Sequence, residues 1–167
     1  MHEAFALALP ASSSDNEPLY APERPALPSQ TWVIADPNPW LRRELTHHIS
    51  THLGGARAGE ARSPSEVLTL IADPRCRVLV IDPCMPTVGQ SDGMPLLRRI
   101  RSLRDDLLVL VLTQHPRHML RDHALPAGIE HVYAKTVDPA WLCRFIAPAL
   151  EPRGATPPLA PLREEGA

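Results

Sequence analysis

Hydrophobic and polar positions follow two alternating periods between residues 31 and 150. Short apolar runs, "TWVIA" at 31–35, "RVLVID" at 77–82 and "LLVLVLT" at 107–113, read as strands, and the last two are too apolar to leave one face in water. The period then lengthens. Leu41, Leu45, Ile49 and Leu53 recur every fourth residue and predict a helix with one apolar stripe. Val67, Leu68 and Ile71 predict a second helix, and Leu96, Leu97, Ile100 and Leu103 form the inner face of a third. A poorer helix, "RHMLRDHAL", stops near Pro126 and Gly128. "HVYAK" from 131 is a strand, and Trp141, Leu142, Phe145 and Ile146 mark a last helix. "ARAGEA" at 56–61 is the candidate for a short second strand.

The punctuation agrees with this reading. Asn38 before Pro39, and Asp138 before Pro139, pair a capping side chain with a proline in the first helical turn. Ser63, Pro64 and Glu66 have the spacing of a capping box, and Asp92 is placed to cap the third helix. Strands that alternate with helices, two of them uniformly apolar, call for an α/β fold: a parallel sheet covered on both faces. In such sheets the functional crevice lies beyond the carboxyl ends of the strands. The polar residues there are Asp36, Asp82, Thr113 and Lys135, so two acids, a hydroxyl and an ammonium converge on one edge.

Composition narrows the choices. The twenty prolines crowd residues 10–39 and 148–161, which predicts disordered segments at 1–30 and 151–167 around one folded unit at 31–150. A net charge of −2 gives no general attraction to nucleic acid, and the arginines of "LRR" at 41–43 and "LRRIRSLR" at 97–104 read as solvated faces. Neither an export signal nor a membrane span is expected, which places the chain in the cytoplasm. Cys76, Cys84 and Cys143 lack metal or disulfide spacing, and His47, His48 and His52 have no partner to complete a metal site. No GxGxxG or GxxxxGK[ST] motif follows a strand.

"IADPNP", "VLVIDPCMP", "SDGMPLLRRIR", "LVLT" and "AGIEHVYAKT" stand in order, with 46, 31 and 22 residues separating Asp36, Asp82, Thr113 and Lys135. In this the chain resembles the receiver domain of two-component response regulators, over residues 31–150. Within that family it is similar to the NarL/LuxR-type branch and its Rcs-type capsule-synthesis regulators. The resemblance implies a flavodoxin-like, doubly wound five-stranded parallel sheet of order 2-1-3-4-5. It also implies that Asp82 is the phosphoacceptor, served by Thr113 and Lys135, and that Mg²⁺ is held by Asp36, Asp82 and the Cys84 backbone carbonyl. A carboxylate nucleophile suits phosphoryl transfer because its acyl phosphate is readily hydrolysed.

The sequence departs from that pattern at Pro37, where receivers carry a second acid that ligates the metal. Removing a direct carboxylate weakens Mg²⁺ binding at least about tenfold, or about 1.4 kcal/mol. Asn38 offers a neutral oxygen one position away. Gln114 and Pro83 crowd the acceptor, and Val132 stands where many receivers have an aromatic residue. Cys84 in place of a second acid argues against an aspartate-nucleophile phosphohydrolase, so no enzyme is expected. With no helix-turn-helix after residue 150, the expectation is an atypical receiver acting through a protein partner. That partner is a DNA-binding response regulator or a histidine kinase, and homo- or heterodimers are in view. A stand-alone phosphoacceptor taking phosphoryl on Asp82 is the alternative. Met119 is expected on the exposed docking face, and Leu120, Trp141 and Phe145 in the core.

Overall fold

The computed structural model describes residues 31–86, 93–122 and 125–151. Five strands and five helices alternate along them: β1 Thr31–Ala35, α1 Pro39–His52, β2 Ala58–Ala61, α2 Pro64–Ile71, β3 Cys76–Ile81, α3 Met94–Leu103, β4 Leu108–Thr113, α4 Pro116–Asp122, β5 His131–Ala134 and α5 Pro139–Leu150. All neighbouring strands are parallel, in the order β2-β1-β3-β4-β5, as expected. The expectations for residues 1–30 and 152–167, and for Asp92 as a cap, lie outside the described residues.

The two-residue period of the strands sorts the core into two layers. Val33, Leu79, Ile81, Val109 and Val111 face Val67, Ile71, Leu97 and Ile100, whereas Trp32, Ile34, Val78, Val80, Leu110 and Leu112 face Leu45, Ile49, Leu142 and Ile146. β3 and β4 are therefore covered on both sides, which is why their sequences lack a polar alternation.

The helix starts follow from their caps. Asn38 Oδ1 accepts hydrogen bonds from the amides of Trp40 (3.0 Å) and Leu41 (3.4 Å). Ser63 Oγ accepts from Glu66 N at 3.3 Å, while the Glu66 carboxylate takes the Arg62 amide at 2.8 Å, one residue earlier than the expected reciprocal bond. Asp138 Oδ1 accepts from Ala140 N at 2.9 Å. The residue before α3, at its N-cap, is Gly93, with φ of +66°. A Cβ there would lie 2.5 Å from the Pro83 carbonyl oxygen, so glycine lets this turn press on the loop after β3.

Several side chains differ from the sequence reading. Leu103, the last residue of α3, is 48 % exposed. In α4 the faces are exchanged: Met119 is buried and Leu120 is exposed. Trp141 is 44 % exposed in the first turn of α5, with the Arg144 guanidinium 4.6 Å from its ring centroid. Phe145 is half-buried. Three arginines assigned to solvated faces are structural. Arg104 donates to the carbonyls of Ile71 (2.6 Å), Asp73 (3.0 Å) and Cys76 (2.8 Å), Arg101 to those of Leu107 and Asp105, and Arg42 to that of Asp36 (2.6 Å). Among the described residues, no helix is long and apolar enough to cross a membrane.

Candidate functional site

Among the described residues, the buried polar or charged side chains are Asp36, Asp82 and Thr113. Each directly follows or ends a strand, at the same edge of the sheet. The register pairs Ile34 with Val80 and Ala35 with Ile81, so the next positions, Asp36 and Asp82, lie side by side on neighbouring strands. Two buried carboxylates at such spacing repel each other unless a cation enters between them.

Lys135 is that cation. It follows β5 and must reach across β4, roughly 10 Å of sheet, which demands a long side chain. Its Nζ lies 2.7 Å from Asp36 Oδ2 and 2.5 Å from Asp82 Oδ2. Burial works to lower the Lys135 pKa, but the bonds to Asp36 and Asp82 together outweigh it and hold the ammonium above its ordinary range. The remaining oxygens are taken locally: Asp36 Oδ1 accepts the Asn38 amide at 2.7 Å, and Asp82 Oδ1 accepts the Cys84 amide at 2.9 Å. Thr113 Oγ1 accepts the His115 amide at 3.3 Å, and the Thr113 carbonyl accepts the Lys135 amide at 3.1 Å, tying the ends of β4 and β5 together.

The four residues singled out by sequence thus stand at one sheet edge, three of them in direct contact. Pro37 is half-buried beside them and brings no side-chain oxygen. Asn38, the neutral substitute, is turned away to cap α1. Cys84, Gln114 and His115 are exposed around the rim, and Val132 is half-buried against the core. Among the described residues no three His, Cys, Asp or Glu side chains form a metal-binding group, and His52 instead bonds through Nδ1 to the His48 carbonyl at 2.8 Å.

Two features escaped the sequence reading. Lys135 is the chain's only lysine, beside sixteen arginines. A compact ammonium can bridge two carboxylates approaching from different strands, whereas a planar guanidinium is shaped to take one carboxylate edge-on through two parallel N–H bonds. The second is Arg42, whose bonds to the Asp36 carbonyl and, at 3.3 Å, to Glu60 Oε2 brace the loop that carries Asp36.

A five-stranded sheet of this order, with a lysine-bridged acid pair at the carboxyl ends of its strands, defines the class. The chain belongs to the response regulator receiver domain family, whose model matches residues 33–147. It is 32 % identical over 103 residues to the response regulators MprA of Mycolicibacterium vanbaalenii and Mycobacterium avium, covering 62 % of this chain and 42–43 % of theirs. The chain therefore spans less than half the length of those relatives.

Solved structures confirm the fold. The Thermotoga maritima response regulator TrrA, crystallised with Mg²⁺ and beryllium fluoride, superposes with a TM-score of 0.59 at 18 % identity, over 72 % of this chain and 98 % of that one. The PhyR receiver domain of Erythrobacter litoralis gives 0.56 at 20 % identity, over 72 % and 89 %.

Proposed function

We propose that this receiver signals through protein contact, with phosphorylation of Asp82 weak or dispensable, and that it does so in the cytoplasm as an element of transcription regulation. The observation that carries this reading is the state of the acid pair. Pro37 supplies no ligand, Asn38 is committed to capping α1, and Lys135 Nζ already bridges Asp36 and Asp82. Mg²⁺ demands near-octahedral oxygen ligands and gives up water reluctantly. Asp36, Asp82 and the Cys84 carbonyl make a poor cradle for it, because any ion must displace the ammonium and has two carboxylates rather than three to hold it.

The partner is a protein, a DNA-binding response regulator or a histidine kinase, and contact runs through the face formed by α4, β5 and α5. Exposed Leu120 and Trp141 and half-buried Tyr133 and Phe145 lie on those elements and supply apolar surface of the kind interfaces favour. The NarL/LuxR-type and Rcs-like assignment rests on the "DG" loop and on "LT" followed by a larger residue.

Incubation with acetyl phosphate and Mg²⁺, followed by intact mass measurement, tests the reading. The expected result is no adduct beyond that of Asp82→Asn. A phosphoryl adduct that disappears in Asp82→Asn would favour a stand-alone phosphoacceptor instead.

A further inference from the structure

The opposite end of the sheet carries a groove of about 610 Å³, inside the range of about 300–1,000 Å³ typical of binding clefts. One wall is apolar: Leu108, Phe145 and the exposed Pro148 of the last turn of α5. His131 packs on Phe145 with ring centroids 4.7 Å apart, which stiffens that wall. The rim is acidic. Asp105, Glu130 and Glu151 are exposed and form no ion pair among the described residues. The two arginines in the groove offset them only in part: Arg77 is paired with Asp106 at 3.0 Å, and Arg101, held on the Leu107 and Asp105 carbonyls, keeps its charge, which leaves the lining with two more carboxylates than guanidinium groups.

A stiff aromatic and proline-bearing wall beside unpaired carboxylates suits an extended, proline-rich strand carrying a cation. Such segments adopt a left-handed helix without paying much ordering entropy, and they dock in aromatic-lined grooves. The chain carries a segment of this chemistry at the groove itself. Glu151, a rim residue, is followed by Pro152 and Arg153, and then by Pro157, Pro158 and Pro161. Attachment at the rim gives an effective concentration of millimolar order, so modest contacts suffice.

We propose that the proline-rich segment 152–167 occupies this groove in cis, with Arg153 among the carboxylates of Asp105, Glu130 and Glu151. The segment then covers the base of the β5–α5 unit, at the opposite end of the sheet from Asp82.

Trypsin cleavage after Arg153 in the full-length chain, followed by intact mass, tests this against the same bond in a synthetic peptide of residues 149–167. The expected cut is about fivefold slower in the folded chain, and raising the salt removes that protection while leaving the peptide rate unchanged. The double substitution Asp105→Asn, Glu130→Gln, both at exposed positions far in sequence from Arg153, restores the peptide rate while the thermal midpoint stays unchanged. Cleavage at the peptide rate in the native chain overturns the proposal. So does protection indifferent to both salt and the double substitution, and so does protection that grows with protein concentration, which would assign the groove to a second copy's segment.

Discussion

If Pro37 is what weakens metal binding, then Pro37→Asp should restore it. Residue 37 sits between Asp36, which is buried, and Asn38, which caps α1, so a carboxylate there projects from a loop already braced by Arg42. A unit charge about 4 Å from another is worth about 1 kcal/mol in water, hence about 2 kcal/mol toward a divalent ion, or roughly thirtyfold in affinity. Two opposing effects accompany it. The unliganded variant loses the conformational restriction of proline, about 0.4–1 kcal/mol, and gains a third acid against one ammonium, so it should melt below the native chain. Added Mg²⁺ should reverse that loss, because an ion that binds the folded state alone raises its stability by mass action. Trp40, 77 % exposed and three residues away, reports binding by fluorescence. The reasoning fails if the native chain binds Mg²⁺ as tightly as Pro37→Asp, or if the variant's midpoint does not respond to the ion.

Lys135→Met removes the cation that bridges two buried acids and should cost about 3 kcal/mol in urea unfolding. Because the Lys135 pKa is raised on folding, its contribution is complete below its ordinary value of 10.5 and is lost as pH rises through the higher folded value. The native chain should therefore lose this increment only above about pH 10.5, and Lys135→Met should show no such step. Arg104→Ala withdraws the guanidinium from three carbonyls at the α2–β3 turn, of which that of Asp73 keeps the Cys76 amide at 2.9 Å, and should cost about 2 kcal/mol by denaturant titration, with the acid site unchanged. Of the three cysteines, Cys84 is exposed, Cys143 is buried, and Cys76 is buried with its thiol pushed up to about 11 by desolvation. A thiol reagent at neutral pH should modify one residue quickly, and Cys84→Ser should abolish that phase.

How far the fold was legible depended on whether the deciding interactions were local. Uniformly apolar strands around Val80 and Val111 could only be central, and each proline after a capping residue marked a helix start. The site was legible for the same reason: Asp36 and Asp82 end runs that are otherwise buried, and a polar residue in such a place needs a partner. What was not legible depends on distant backbone. Nothing near Arg104 in sequence indicates that it will bind the Ile71 carbonyl, 33 residues away. In seven-residue α4 the apolar pair Met119 and Leu120 fits either orientation, and packing against the sheet selects Met119. Trp141 lies on the outer side of the first turn of α5, where Arg144 covers its ring.

The most direct test of contact-based signalling is the amide NMR spectrum of the native chain titrated with Mg²⁺ and then beryllium fluoride, with Asp82→Asn in parallel. The account predicts superimposable spectra at millimolar ion for residues around Asp36, Asp82, Thr113 and Lys135. Saturable shifts at those amides in the native chain, absent from Asp82→Asn, would contradict it.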